Sequence, residues 1–438
     1  MKHTAWFPVV VALIGFACAT DAMAQDSRIP GGSQTDSIKA AVRNGKLVFQ
    51  SESGDFRWWF DSRLQIDGAM YFENKNAMSN GAHFRRLTFA MKAQLHKYWE
   101  AEFDMDFGEQ VDTKEQNELR DMWLKYTPPG WNLALQVGHF KEPFGLERLN
   151  SSRLLTFLER SSISNALPMG RRIGIQARYM IPELAQITGA VMGHEAGTRI
   201  DKGQRDEGFS TNLRATIAPI NRDGHVLHIG AAGSYKVPDA TSELKPNTIE
   251  ISARTESYVF NPKYLHTGDI TDVNNYWRYG AEFMYVYGPF YLQSEVMATS
   301  INRWYGKPQA NIGGGYVMAA YMLTGETRYY YADEGEIGPV EAPTHGWGAL
   351  ELAARYTITD LNDYDASLHK SATERDPTGV YGGKVNQLML GVNYYPNTSV
   401  KIQVNYSIVD LDEFATRKGN LYGDDDHSFV QMRFQVSL

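Results

Sequence analysis

The sequence predicts an all-β fold, a transmembrane antiparallel β-barrel of about 16 strands. Three observations predict it. The dominant period is two: in 86–96, Leu87, Phe89, Met91, Ala93 and Leu95 share one face and Arg86, Thr88, Lys92 and Gln94 the other. The same alternation sets Val400, Ile402, Val404, Tyr406 and Ile408 against Lys401, Gln403, Asn405 and Ser407. It continues from Val430 to Leu438. Such segments are strands with one apolar and one polar face. Secondly, the runs are about ten residues long, the length a tilted strand needs to cross a bilayer. Thirdly, short connections alternate with long ones, as in barrels with tight periplasmic turns and long external loops. A soluble sandwich shares only the first of these features.

The chain opens with Lys2 and His3, an apolar run from Ala5 to Ala19, and then Ala22-Met23-Ala24. This pattern reads as a signal peptide, 1–24, cut after Ala24. The apolar run is too short to span a membrane comfortably. Cys18 is the only cysteine, so no disulfide or thiolate metal site is expected in the mature chain. Residues 25–55 are expected to form an N-terminal periplasmic segment, with 25–45 disordered or a short helix, and 56–438 the barrel. After residue 24 no stretch approaches the roughly 18 consecutive apolar residues of a membrane helix. A net charge of -8 argues against a nucleic-acid partner.

Strands are expected at 56–72, 84–96, 99–108, 118–127, 131–140, 171–180, 186–194 and 208–218. They continue at 226–236, 276–287, 290–300, 313–324, 346–358, 385–395, 399–409 and 428–438. The short turns hold strong breakers: Pro128-Pro129-Gly130, Pro182, Pro219, Gly288-Pro289 and Pro396-Asn397. Long connections fall at 73–83, 109–117, 141–170, 195–207, 237–275, 301–312, 359–384 and 410–427. Residues 248–258 also look like a strand, but counting them makes the total odd. Both chain ends belong on the periplasmic side, which requires an even number. The turns at 288–289 and 396–397 then make 237–275 a single external connection, and 248–258 a loop that can fold into the pore. The connection 325–345 is long where a short turn is expected, and a strand extension is the one account alternation offers. The last strand ends in Leu438, where outer-membrane barrels usually carry Phe or Trp. Insertion is still expected.

Several segments resemble one family in order: "HFRRLTFAMKAQL", "LRDMWLKYTPPG", "VGHFKEPFGLE" with "NSSRLLTFLERS", "GFSTNLRATIAP", "YGAEFMYVYGPFYLQSE", "YVMAAYMLTGE" and "LELAARYTITDLND". Together they are similar to the phosphate-selective porin O/P family of Gram-negative outer membranes, over most of 56–438. The resemblance implies a sixteen-stranded barrel with loops folded into the lumen, usually a homotrimer, and passage of small anions such as phosphate along Arg and Lys. No cofactor is implied. Outer-membrane lipid and lipopolysaccharide would surround such a barrel.

With the apolar face toward lipid, the inward basic residues are Arg63, Arg86, Lys92, Lys125, Arg178, Arg214, Arg278, Arg355, Lys401 and Arg433. The inward acids are Asp67, Glu100, Glu102, Asp104, Asp106, Asp121, Glu282, Glu295 and Glu351. This balance is not uniformly positive, so selectivity would rest on the narrowest point, where low-dielectric walls focus the field. The natural constriction is 141–170, with Lys141, Arg148, Arg153 and Arg160, followed by Arg171 and Arg172. Arg254 in 248–258 is a further candidate. Arg forks suit oxyanions. The competing reading pairs these arginines with Glu142, Glu147 and Glu159 as pins for the loop. One of Arg171 and Arg172 is expected in the lumen.

The acids of 99–108 lie on one strand face about 7 Å apart, too far for a shared proton. Ion pairs with neighbouring strands, such as Glu102 with Lys92, are expected instead. His194-Glu195 lacks the spacing of a zinc protease, and 424–427 lacks that of a calcium loop. No nucleophile elbow is found, which argues against a barrel hydrolase.

Overall fold

The computed structural model describes residues 37–43, 46–108, 118–193, 207–239, 247–259, 262–365, 367–368 and 375–437. The signal peptide with Cys18, the His194-Glu195 pair and Leu438 lie outside the described residues.

Sixteen strands form one closed antiparallel barrel: β1 (Phe56–Phe72), β2 (Gly81–Leu95), β3 (Trp99–Asp106), β4 (Glu118–Tyr126), β5 (Leu133–Lys141), β6 (Arg171–Ile181), β7 (Ala185–Met192), β8 (Phe209–Arg222), β9 (His225–Val237), β10 (Val273–Tyr287), β11 (Phe290–Arg303), β12 (Ala310–Met322), β13 (Ala349–Asp363), β14 (Val380–Tyr395), β15 (Val400–Leu411) and β16 (His427–Ser437). Each pairs with the next, and β16 closes on β1 from Ser437↔Arg63 to Ser428↔Phe72. All sixteen expected strands are present. Closure leaves no barrel strand with an unpaired edge, which the interior of a bilayer demands.

The apolar side chains face out. Leu213, Val296, Leu390 and Met432 are each about half exposed, as lipid-facing side chains are in an isolated barrel. The charged side chains assigned to the inner face are found there. Two aromatics of the walls face inward. Trp59 lines the lumen, and the Tyr395 hydroxyl donates to Glu351 Oε2 at 2.9 Å. Their neighbours Trp58 and Tyr394 take the other parity.

Residues 38–43 and 46–51 are strands rather than the disorder or helix expected up to 45. Ile38–Arg43 and Lys46–Ser51 form a hairpin, and Val48–Gln50 pair with Arg57–Trp59 of β1. Phe49 stacks on Trp58 at 5.5 Å, and this contact anchors the hairpin.

Three segments fold into the lumen. The first is 142–170, with the short helices α1 (Leu146–Leu149) and α2 (Ser162–Ala166). The second is 247–259 with 262–266, where Ser252–Ala253 pair with Leu265–His266. Tyr71 of β1 donates to the Val259 carbonyl at 2.6 Å, and Gln431 of β16 to the Glu256 carbonyl at 3.1 Å. The third is 325–345. It is not a strand extension but a hairpin of its own, with Arg328–Tyr331 against Glu336–Val340. It rises from the short-turn end and meets the first segment, where Ile337 N donates to Asn150 Oδ1 at 3.2 Å.

Candidate functional site

The segment 142–170 is bound to the barrel wall from β8 round through β16 to β2. Phe144 and Phe157 are fully buried, and each settles over a wall glycine. A Cβ on Gly280 would lie 3.3 Å from the Phe144 ring, and one on Gly391 3.1 Å from the Phe157 ring. A wall guanidinium caps each ring, Arg278 over Phe144 at 5.2 Å and Arg355 over Phe157 at 4.5 Å. The segment's carboxylates hold the same guanidinium groups. Glu142 pairs with Arg278 at 2.6 Å and Glu147 with Arg355 at 3.1 Å. Glu159 pairs with Arg433 at 2.6 Å and Arg85 at 2.9 Å. Arg433 also forks onto both oxygens of Asp67 at 2.6 Å. Burial would raise the Glu159 carboxyl, but Arg85, Arg86 and Arg433 hold it well below the usual carboxylate range.

Most of these pins therefore run from loop glutamates to wall arginines, and one runs from a loop arginine to a wall carboxylate. Arg153 reaches Asp61 at 3.4 Å. Arg160 donates to the Glu147 and Asn150 carbonyls at 2.8 and 2.7 Å, and Arg148 toward that of Met169 at 3.4 Å.

The lumen along β1–β8 holds a cavity of about 380 Å³. Seven of the thirteen candidate residues line it: Arg63, Lys92, Lys125, Lys141, Arg153, Arg171 and Arg178. The other six are not among its lining residues. Arg278 pairs with Glu142, and Arg86 donates to Gln65 Oε1 at 2.8 Å. Arg172 points toward the Gly193 carbonyl at 3.4 Å, and Arg254 lies over the Tyr258 ring at 4.9 Å. Arg148 and Arg160 stay within the loop. Of the Arg171-Arg172 pair, Arg171 is thus the one in the cavity.

Alternation alone missed Arg85 and Arg120. Each sits where a strand carries one extra residue. In β2, Gln65 pairs with Arg86 but Ile66 with Phe84, so Arg85 joins Arg86 on the inner face. In β4, Arg120 and Asp121 together oppose Asp104. Bulges re-aim side chains in this way. The signal was in the sequence: Phe84 and Leu87 both face out yet stand three apart.

The acidic face of β3 is neutralised by its neighbours. Glu100 pairs with Lys125 at 2.8 Å and Glu102 with Lys92 at 3.2 Å. Arg120 bridges Asp104 at 3.2 Å and Asp106 at 3.1 Å. Glu102, Asp104 and Asp121 bring carboxylate oxygens within 4.8 Å of one another. Arg171 holds Asp121 at 2.5 Å, so each of the three already has a cation.

Nine basic and seven acidic side chains line the cavity. Three of the basic ones have no carboxylate partner among the described residues. Arg63 donates to Ser152 Oγ, Lys141 to the Leu149 and Asn150 carbonyls, and Arg178 to Thr188 Oγ1 at 3.3 Å.

A closed barrel with lipid-facing walls, an inward loop and a charged aqueous cavity defines an outer-membrane diffusion channel, a porin. The family model described as "Phosphate-selective porin O and P" matches residues 60–438. The chain belongs to that family and to the bacterial outer membrane. It is similar to Porin O of Pseudomonas aeruginosa, 25% identical over 441 residues, covering 95% of this chain and 97% of that one. Among solved structures, the anion-selective porin from Comamonas acidovorans shares the fold with a TM-score of 0.50 and 10% identity, covering 87% of this chain and all of the other. The in-vitro folded trimer form of OmpT, an outer membrane protein of Vibrio cholerae, matches with a TM-score of 0.51 at 10% identity, covering 87% and 99%.

Proposed function

We propose that the protein is a passive, anion-preferring porin whose permeation path is the cavity along β1–β8, and that small oxyanions such as phosphate are its cargo. One observation carries the reading: Arg63, Lys141 and Arg178 reach the cavity without a carboxylate partner, while all but two of its acids are paired. A guanidinium held by neutral oxygens, as at Arg63 and Arg178, keeps its charge for a passing anion. An acid already neutralised repels that anion little. Arg153 and Arg171 share their carboxylates and add forks beside the path. Phosphate-selective naming of the family and the anion-selective Comamonas porin support this cargo class.

Transport is diffusion down a gradient, without a chemical step or cofactor. Export through a peptide cut after Ala24, assembly as a homotrimer in contact with lipid and lipopolysaccharide, and insertion with Leu438 as the final residue belong to the same reading. Purified protein in a planar bilayer under a KCl gradient should give a reversal potential of chloride preference. Added phosphate should reduce the chloride conductance. Cation preference would overturn the cargo, and the migration of unheated protein in detergent gels would test the trimer.

A further inference from the structure

Glu334 and Glu336 are the cavity's two carboxylates without a cation within 4 Å among the described residues. Both stand at the tip of the inserted hairpin 325–345. That tip is held firmly. Arg214 donates to the carbonyls of Glu334 at 3.1 Å and Gly335 at 2.7 Å, while pairing with Glu282 at 2.7 Å. Tyr330 OH and His228 Nδ1 are 2.6 Å apart. Gly335 has φ 62, and a Cβ there would lie 2.5 Å from Thr216 Oγ1, so the tip is seated against β8. A fixed element therefore presents two carboxylates to the lumen. Lys141 and Arg178, two of the unpartnered cations, are within electrostatic reach of Glu336 but form no ion pair with it.

We propose that this tip is a tethered anionic competitor, which holds down the channel's affinity for multivalent oxyanions inside the lumen, where the hairpin meets the inward segment. The inference rests on the anion-preferring reading above. Conduction needs binding strong enough to draw an ion in and weak enough to let it leave. Two fixed negative charges in the cavity, with Lys141 and Arg178 within reach of Glu336, oppose an anion bound there. Coulomb repulsion scales with the charge of the passing ion. A phosphate dianion is therefore discriminated against more strongly than chloride. Glu334 and Glu336 would thus set the balance between capture and release.

The test is inorganic phosphate block of chloride current in planar bilayers, comparing the full-length wild type with the double variant Glu334→Gln/Glu336→Gln. The phosphate concentration for half block should fall roughly three- to tenfold, the range that two solvent-screened charges supply. Each blocking event should last longer, while chloride conductance changes less than about twofold. Asp223→Asn removes the same kind of charge from an exposed turn outside the cavity and should leave the block unchanged. Glu334→Asp/Glu336→Asp should restore wild-type block, which separates charge from packing. Retention of the folded barrel is read from gel migration without heating. A double variant that blocks at the wild-type concentration, or a shift of equal size in Asp223→Asn, overturns the inference. Absence of phosphate block in the wild type itself would instead overturn the cargo reading, and this inference with it.

Discussion

At the scale of single residues, function turns on which charges are left without partners. Lys141 rests on two carbonyls and no carboxylate, so Lys141→Gln should weaken phosphate block by roughly tenfold, about what one charge-assisted contact supplies. Phosphate titration of the chloride current checks this. Glu102→Gln should act in the opposite direction. It leaves Lys92, whose side chain is 29% exposed, with only the longer contact to Asp61 at 4.0 Å, and the reversal potential should move toward stronger chloride preference. The Lys92–Glu102 pair itself is partly wet and contributes only about 0–1 kcal/mol, so folding should be little affected. Alternation found most of the cavity-lining charges because a lipid face on one side of a strand fixes the parity of the other. It failed at Arg85 and Arg120, where an inserted residue shifts that parity. It also included Arg278, whose inward direction was right. Its removal from the path depends on Glu142 arriving from 136 positions away, which no local pattern encodes.

At the scale of elements, the inward segment 142–170 is a plug held by aromatic rings on glycines and by buried ion pairs. Gly391→Val would crowd the Phe157 ring and cost about 1–3 kcal/mol by overpacking. The segment should loosen, and single-channel conductance should rise. The docking has a pH limit with a definite sign. Burial opposes ionisation of Glu142 and Glu159, yet their arginine neighbours hold both carboxyls below the ordinary value of 4.5. Groups lowered in the folded state contribute fully above the unfolded value, and that contribution is lost as pH falls through the folded one. Conductance should thus stay constant from pH 8 to about 5 and change only in clearly acidic solution, below about 4.5. A change centred near neutrality would count against this account of the plug. Strand positions were legible from period two and from breakers. The hairpin 325–345 was not, because its short strands pair with each other, and its anchors Arg214, His228 and Asn150 come from distant parts of the chain.

At the scale of the whole molecule, the barrel divides its lumen. Strands β8–β16 together with β1 and β2 hold the plug, and β1–β8 border the open cavity. Arg433 stands where these two tasks meet. Replacing it with Ala would strip buried Asp67 of its ion-pair partner and leave Glu159 to Arg85 and Arg86, at a cost of about 3–5 kcal/mol. The temperature at which the barrel loses its fast-migrating folded form on gels should drop by several degrees. That one side chain reaches β1, lies on β16 and holds the plug, across separations of 366 and 274 residues. Sealing the cylinder and seating its interior are therefore a single late event in assembly. Until the final strand arrives, β1 lacks its lateral neighbour and the inward segment lacks Arg433, and the nascent protein must be sheltered through that wait.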